Sequence, residues 1–213
     1  MRKLLVILIL LTCNISHATI IERNATIVVL DLETHEKISD KNIDLMNIEK
    51  AASEYVVQRL VTKTKLNVLD RETVNEKLKG LDTYGLISLE DAKKIGEILG
   101  VKYLIYGSVT NFSANTRITH GHSWLPSESK EITIEAQITI RLMDIETGNI
   151  LMVSKGVGKD SSTSGNIAFL IHTGEFQVTE QEVQKSLQKA AFKSVDTLID
   201  KLSLNETKSK NKK

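Results

Sequence analysis

Cysteine and aromatic residues are scarce in this chain, and its net charge is close to zero. It has 213 residues with one cysteine, Cys13, and aromatic residues make up 4% of the total. Few aromatics argue against a surface on which nucleic-acid bases stack, and a net charge of +1 argues against a nucleic-acid partner. If Cys13 is removed with a leader, the mature chain has no disulfide and no thiol chemistry. Its stability must then come from the packing of one domain, for which 41% hydrophobic residues are sufficient.

The first 18 residues have the pattern of a secretory signal peptide. Arg2-Lys3 supplies the basic region, Leu4 to Leu11 is an uninterrupted apolar run, and Ser16-His17-Ala18 places small residues at a cleavage site. The apolar run is too short to cross a bilayer. We therefore predict a signal peptide over 1–18 and a mature chain that starts near Thr19.

A second interpretation of this leader remains open. Leu10-Leu11-Thr12-Cys13 resembles a lipobox, which would leave Cys13 as a lipidated N-terminus. Thr12 is bulkier than the glycine, alanine or serine that usually precedes such a cysteine, and the leader would be very short. The sequence favours cleavage after Ala18 over lipidation of Cys13.

Hydrophobic periodicity predicts a mixed α/β fold with elements in the order β-α-β-α-α-β-β-β-α. The predicted helices cover 43–62, Asp70 or Arg71 to Gly80, Ser88 to Gly100, and 180–202. The predicted strands are Thr26–Leu32, Leu66–Leu69, Lys102–Thr110, Glu131–Met143 and Ile150–Lys155. The first strands suit a right-handed β-α-β crossover, and the last three suit an antiparallel meander. We expect a single domain over 19–204, with helices packed on one mixed sheet, and a disordered basic tail over 205–213.

The segment from Ser88 to Val109 carries the clearest local signals. Ser88 and Asp91 predict a capping box at the start of a helix, and Gly100 is placed for the left-handed residue that ends it. The apolar run 103–106 does not alternate with polar residues, which predicts a strand covered on both faces. The apolar stripe predicted for the helix is Leu89, Ala92, Ile95 and Leu99.

Alternation of apolar and polar residues from Glu131 predicts a strand with one buried and one wet face. Asp144 to Asn149 supplies a turn with Gly148 in a left-handed position. After the return strand, Gly156-Val157-Gly158-Lys159 is interpreted as a strand end entering a loop, and Ser161 to Gly165 as loop.

Three motifs in chain order resemble one known family. They are Leu69-Asp70-Arg71-Glu72 at a strand-to-helix junction, GVKYLIYGS at 100–108, and Arg141 to Asp144 followed by Thr147 to Leu151 at a hairpin turn. In this order they resemble the curli production assembly/transport component family (CsgG-like) of bacterial cell envelopes. The resemblance covers about Thr26 to Leu202.

This resemblance implies a periplasmic α/β domain at the outer membrane. In some members such domains form rings, and two hairpins from each subunit build a pore that exports unfolded curli subunits. Other members and relatives are periplasmic modules without a pore, including activators of penicillin-binding proteins. The chain is therefore expected to be an oligomeric transport or assembly factor of the outer membrane. The alternative is a soluble periplasmic module that regulates an envelope partner.

The segments that correspond to membrane hairpins are unusually polar for that role. A membrane strand needs about ten residues in which apolar side chains alternate. Asn111 to His122 is mostly polar, and Lys159 and Asp160 interrupt the second candidate between Ser154 and Val178. Membrane contact would involve 111–130 and 154–177, and a subunit interface would involve the strands Lys102–Thr110 and Glu131–Met143. The candidate membrane or partner contacts are Phe112, Ile118, Trp124, Phe169 and Ile171.

No constellation of catalytic or metal-binding residues is recognised. His120-Gly121-His122 lacks a third ligand nearby and is interpreted as an exposed loop tip. Asp70 is expected to cap a helix, and no nucleophile has a base at a suitable spacing. We expect no enzymatic activity and no cofactor. The expected partners are further copies of the chain, an envelope protein or an exported protein cargo, and not nucleic acid.

Overall fold

The structure is a computed structural model that describes residues 20–22, 24–34, 45–81, 87–120, 127–167 and 180–205. The described helices are α1 (Leu45–Lys63), α2 (Arg71–Lys77), α3 (Leu89–Leu99) and α4 (Glu180–Lys201). The described strands are β1 (Ile20–Glu22), β2 (Thr26–Val29), β3 (Glu33–Thr34), β4 (Asn67–Val68), β5 (Tyr103–His120), β6 (Ser127–Asp144), β7 (Ile150–Ile167) and β8 (Ser203–Asn205). The mixed α/β class is confirmed, and the nine predicted elements occur in the predicted order.

The main sheet has six strands, in the order β4-β2-β5-β6-β7, with β3 added alongside β5. β2 is parallel to β4 and to β5, and β3 is also parallel to β5. β5, β6 and β7 form the antiparallel meander that the sequence predicts. The short strands β1, β3 and β8 are additional to the prediction, and β1 and β8 pair in parallel as a second sheet.

Helices cover both faces of the sheet where β2 and β5 lie. Val28 and Leu104 are buried in the cluster that contains α2 and α3, together with Ile95. Ile27 and Ile105 are buried in the larger cluster with α1 and α4. Neighbouring residues of one strand thus face opposite cores, which confirms that the apolar run of β5 is covered on both sides.

The ends of α3 are formed as predicted. The Ser88 hydroxyl accepts a hydrogen bond from the Asp91 amide at 3.1 Å, and Gly100 ends the helix with φ 67°. Leu89, predicted in the apolar stripe, is instead 44% exposed. It stands at the first turn of the helix and packs over Gly148, where an added Cβ would lie 2.7 Å from Leu89 Cδ1.

The three strands of the meander are each 18 residues long and exceed their predicted lengths. The interpretation of Gly156–Lys159 as a strand end and of Ser161–Gly165 as a loop is wrong. These residues pair with β6 in a continuous register from Gly156 opposite Ile138 to Gly165 opposite Ser129. Pairing along β6 overrides the weak strand propensity of glycine and serine.

Small residues in β7 allow α4 to lie directly on the strand. An added Cβ at Gly156 would lie 2.0 Å from the carbonyl oxygen of Ala190, and one at Gly158 would lie 2.0 Å from that of Ser186. The Ser154 hydroxyl donates to the Ser194 carbonyl oxygen at 2.8 Å. We call this contact the α4–β7 seam; it consists of Ser154, Gly156 and Gly158 on β7 and Ser186, Ala190 and Ser194 on α4.

No helix in the part of the chain that the structure describes combines the length and apolarity needed to span a membrane. The predicted signal peptide, 1–18, lies outside the described residues. Asn205, placed in the predicted tail, is the last residue of β8, and 206–213 lie outside the described residues.

Candidate interaction surface

The meander extends beyond its helical cover as a three-stranded ribbon. In β5 the side chain of Phe112 is buried, whereas those from Ala114 to Thr119 are exposed. The strand nevertheless stays paired with β6, as far as His120 opposite Glu128. We call the segments Ala114–His120, Ser127–Glu131 and Ser161–Ile167 the distal ribbon.

The distal part of β5 is polar on both faces. Asn115, Arg117 and Thr119 alternate on one face, and all three are exposed. On the opposite face Thr116 lies between Ala114 and Ile118, and Ile118 is 51% exposed. A strand facing lipid would need an apolar residue at every second position, which neither face provides. The surface is suited to contact with water or with protein.

A bulge lies in β5 shortly before the strand leaves the core. The register with β6 shifts between Val109 and Asn111. Gln137 Nε2 donates to Thr110 Oγ1 at 2.6 Å, which fixes the extra residue against the neighbouring strand. A bulge bends its strand and increases the local twist, so this one sets the direction of the distal ribbon.

Two short strands pair with the second edge of β5 in the described part of the chain. β2 pairs with Tyr103–Ile105, and β3 pairs with Ser108 and Val109. Beyond Val109, no strand in the described part of the chain pairs on that side.

The outer edge of β7 also lacks a described strand, but charged side chains protect it. Lys189 Nζ donates to the Lys159 carbonyl oxygen at 2.9 Å and forms an ion pair with Asp160. Lys159 pairs with Glu135 at 2.8 Å on the neighbouring strand. Lysines at a strand edge oppose the addition of another strand.

Arg71 on α2 contacts two other segments of the fold. Its Nε donates to Asp31 Oδ1 at 2.8 Å, and its Nη1 donates to the Lys50 carbonyl oxygen at 2.9 Å and to Glu54 Oε1 at 3.0 Å. These contacts connect α2 to the end of β2 and to α1. Arg71 thus has a structural role, because its hydrogen bonds hold α2 against α1 and against the segment that follows β2.

Asp70, next to Arg71, caps α2 as the sequence predicts. Its carboxylate accepts a hydrogen bond from the Thr73 amide at 3.0 Å. That bond and a second one from the Thr73 hydroxyl lower the pKa of Asp70 below its usual value.

Side chains of α1 take the place of a neighbouring strand beside β3. Ser53 Oγ accepts from the Leu32 amide, and Glu49 Oε1 accepts from the Thr34 amide, both at 2.8 Å. These two bonds hold β3 against β5 at the start of the bulge. The residues that follow, 35–44, lie outside the described part of the chain.

An ion pair joins α1 to α4. Arg59 donates to both carboxylate oxygens of Asp196, at 2.8 and 2.6 Å, and its guanidinium lies 4.8 Å from the ring centre of Phe192. The hydrogen bond to Arg59 lowers the pKa of Asp196, and the same bond raises that of Arg59. An open cleft of about 300 Å³ adjoins the pair, and its other lining residues are Lys63, Ile199 and Asp200.

Within the described residues, no three His, Cys, Asp or Glu side chains are grouped so that they could hold a metal ion. His120 ends β5, and Gly121 and His122 lie outside the described residues. The ion pairs of Arg59, Arg71 and Lys189 connect helices and strands to one another. None of these clusters pairs a nucleophile with a base.

The predicted contact residues have different environments. Phe112 is 7% exposed and belongs to the core, while Ile118 is 51% exposed on the distal ribbon. Trp124, Phe169 and Ile171 lie outside the described residues, as does Cys13. Sequence reasoning missed the α4–β7 seam, although its signal is present: small residues spaced by two in β7 and by four in α4.

Comparison with protein families gives an extensive match. The model of the family described as curli production assembly/transport component CsgG matches residues 16–212. No curated protein matches the chain.

Several solved structures share part of the fold at low identity. The LpoB C-terminal domain from Escherichia coli is 16% identical, with a TM-score of 0.41, over 64% of this chain and 84% of that one. The PelC dodecamer from Paraburkholderia phytofirmans is 10% identical, with a TM-score of 0.39, over 87% and 94%. A putative neuraminyllactose-binding hemagglutinin homolog from Helicobacter pylori is 11% identical, with a TM-score of 0.49, over 85% and 87%. Likenesses this weak add nothing to an argument on function.

The family match is of a different kind, because it covers nearly the whole chain. Residues 16–212 include every described helix and strand, and with them the three motifs at 69–72, 100–108 and 141–151. The chain belongs to the CsgG family of curli production assembly/transport components.

Proposed function

We propose that this chain is an exported component of the bacterial cell envelope that acts in assembly or transport at the periplasmic face of the outer membrane. It works as a homo-oligomer, through contacts with protein, and not as an enzyme. The observation that carries the proposal is the family match over residues 16–212. The signal peptide predicted over 1–18 supports export.

The geometry of the ribbon supports a role in contact. Three 18-residue strands form the ribbon, and the side chains 114–119 of β5 and those of Ser161 and Thr163 on β7 are exposed. The bulge after Val109 sets its direction. The ionic clusters around Arg59 and Arg71 are engaged in joining helices. Among the described residues, the ribbon is the surface that supports contact with protein.

A second candidate function is favoured by the polarity of distal β5. Asn115, Arg117 and Thr119 occupy one face, and Thr116 interrupts the other. This composition supports a soluble periplasmic module without a pore, which would regulate an envelope partner in the manner of a penicillin-binding-protein activator. In that case the ribbon would bind the partner rather than lipid.

Fractionation of cells expressing the full chain separates these candidates. The transport role predicts that the mature protein sediments with outer membranes and is extracted by detergent as an oligomer. A monomer recovered in the soluble periplasm would exclude that role and support the regulatory module. The intact mass of the mature protein, measured on the same material, distinguishes a chain starting at Thr19 from one lipidated at Cys13.

A further inference from the structure

Segments that are far apart in the sequence meet at one end of the molecule. β1 pairs in parallel with β8, which follows α4. The Asn67 amide, just after α1, donates to the Ala25 carbonyl oxygen at 3.0 Å, just after β1. Lys63 at the end of α1 and Asp200 at the end of α4 line the same cleft. We call these segments, with the residues that follow β8 in the sequence, the basic end: 20–25, 63–67 and 199–213.

Basic side chains predominate at the basic end, whereas the rest of the mature chain is acidic. The basic end carries eight basic and three acidic side chains, and the remainder of 19–213 carries 18 basic and 24 acidic ones. A net charge near zero thus results from a positive end and a negative remainder, and such an asymmetry orients a molecule in an electric field. The eight basic residues are Arg23, Lys63, Lys65, Lys201, Lys208, Lys210, Lys212 and Lys213.

The described lysines of the basic end are exposed and have no acidic partner. Lys63, Lys65 and Lys201 are all exposed. No residue in the described part of the chain forms a hydrogen bond or an ion pair with their ammonium groups. Asp196, the carboxylate near Lys63, is already paired with Arg59. The positive charge of these three lysines is therefore available to an anionic partner.

The composition of the basic end favours a lipid surface over a folded protein as that partner. Protein interfaces are anchored by aromatic and apolar side chains, and residues 205–213 contain none. Lysines outnumber arginines by seven to one at the basic end. The lysine ammonium is a compact, strongly hydrated charge that does not need the fixed geometry of an arginine contact. Clusters of about four to eight such residues bind the anionic headgroups of a membrane.

We propose that the basic end binds the anionic headgroups of a phospholipid membrane, so that the acidic remainder of the chain is directed away from the lipid. Both interpretations of the leader agree with this orientation. With a lipid on Cys13, residues 14–19 span at most about 25 Å when extended, which places β1 close to the same membrane. With cleavage after Ala18, the basic side chains provide the contact alone.

This inference deepens the proposed function, and it rests on that function only for the presence of a membrane next to the protein. The two fail separately. Cell fractionation tests the location of the protein in the envelope, whereas purified protein and vesicles test the contact with lipid.

Co-sedimentation with vesicles tests the contact. The mature protein is expressed from Thr19, so that no lipid on Cys13 contributes. It should bind vesicles of phosphatidylcholine that contain about 30% phosphatidylglycerol, and it should not bind vesicles of phosphatidylcholine alone. Raising the NaCl concentration from about 0.1 M to about 0.5 M should lower the partition coefficient at least about tenfold, because salt screens exposed charges.

Two sets of substitutions assign the contact to the basic end. The first set should lower the partition coefficient at least about tenfold, because each lysine near an anionic surface contributes several-fold. It combines Lys208→Gln, Lys210→Gln, Lys212→Gln and Lys213→Gln. The second set changes only described residues and should lower the partition coefficient at least about fivefold. It combines Lys63→Gln, Lys65→Gln and Lys201→Gln.

A matched control removes three exposed lysines elsewhere and should bind like the wild type. It combines Lys93→Gln, Lys155→Gln and Lys185→Gln. Lys93 is on α3, which covers the other face of the sheet. Lys155 alternates with Ser154 and Gly156, which contact α4, so it faces away from that helix. Lys185 precedes Lys201 on α4 by about 24 Å of helix.

Four outcomes would each overturn the proposal. They are a failure to bind the anionic vesicles, equal binding to the neutral ones, equal effects of the second set and its control, and binding of soluble polyglutamate as tight as that of vesicles at the same concentration of anionic groups. The last outcome would indicate an acidic protein as the partner. The described residues that are changed are exposed, so these variants should retain the fold, which circular dichroism checks directly.

Discussion

Individual residues of this protein are most constrained where the backbone of β7 contacts the backbone of α4. Gly158 leaves no space for a side chain, because an added Cβ would lie 2.0 Å from the Ser186 carbonyl oxygen and 2.5 Å from the Ala190 amide. Arg59 and Asp196, by contrast, are partly exposed and act through charge. The two kinds of residue respond differently to substitution and to pH.

Gly158→Ala should lower the free energy of unfolding by about 1–3 kcal/mol, because either α4 or β7 must move to admit the methyl group. Urea denaturation followed by circular dichroism measures the change. Ser161→Ala, on an exposed part of the same strand, should stay within about 0.5 kcal/mol of the wild type. Equal stability of Gly158→Ala and the wild type would mean that the seam is looser than the structure indicates.

The ion pair between Arg59 and Asp196 predicts a loss of stability in acid. The pKa of Asp196 is lower in the folded chain than the unperturbed value of about 3.9, so its contribution is present above that value and is lost as the pH falls below it. The wild type should therefore lose more stability between pH 7 and pH 3 than Asp196→Asn does. Asp200→Asn, in the same cleft but outside the pair, should behave like the wild type. Parallel pH profiles for Asp196→Asn and the wild type would refute this account.

At the scale of elements, the sequence predicts the helices and strands that are stabilised by residues within them. It does not predict those that depend on partners far away in the sequence. Ser88, Asp91 and Gly100 determine α3 within its own length, so its bounds follow from local chemistry. The part of β7 from Gly156 to Gly165 is a strand because of β6 and α4, which contribute residues 18 or more positions away. Glycine and serine there have the composition of a loop, and their small size becomes informative only when α4 is placed against them. The position of Leu89 likewise depends on a partner that is distant in the sequence, because its side chain packs over the turn at Gly148.

Removal of the cap should destabilise α3 specifically. Ser88→Ala leaves the Asp91 amide without the hydroxyl that accepts from it, and such a change costs about 1 kcal/mol. Hydrogen exchange should become faster in the first turn of α3, and the unfolding midpoint should fall. Ser88→Thr keeps a hydroxyl at the cap and is expected to retain most of the stability. If the two variants lose the same amount, the cap is not the cause.

Along β5 the molecule changes from a sheet that is covered by helices to a ribbon with exposed side chains. Leu104 and Ile105 lie between two cores, whereas residues 114–119 of the same strand are exposed. The sequence predicts the first of these regions from its apolar run. It also indicates the polar character of 111–120, but not that this segment continues as a strand, since its pairing with β6 is a property of the folded sheet.

This gradient predicts the pattern of hydrogen exchange along β5. In dilute protein the amides of residues 104–106 should exchange last among those of the strand, and those of 114–119 should exchange early, because few buried contacts oppose local opening. Uniform protection along β5 would be inconsistent with this expectation.

The α4–β7 seam also has a consequence for the order in which an exported chain can complete its fold. A polypeptide that emerges from a translocation channel with its N-terminus first presents β5, β6 and β7 before α4. Until α4 arrives, the face of β7 around Gly156 and Gly158 is bare backbone without large side chains to shield it. The Lys159 carbonyl oxygen at the outer edge of β7 also lacks Lys189 until the last helix arrives, so for that interval unfolded neighbours can add strands at this edge.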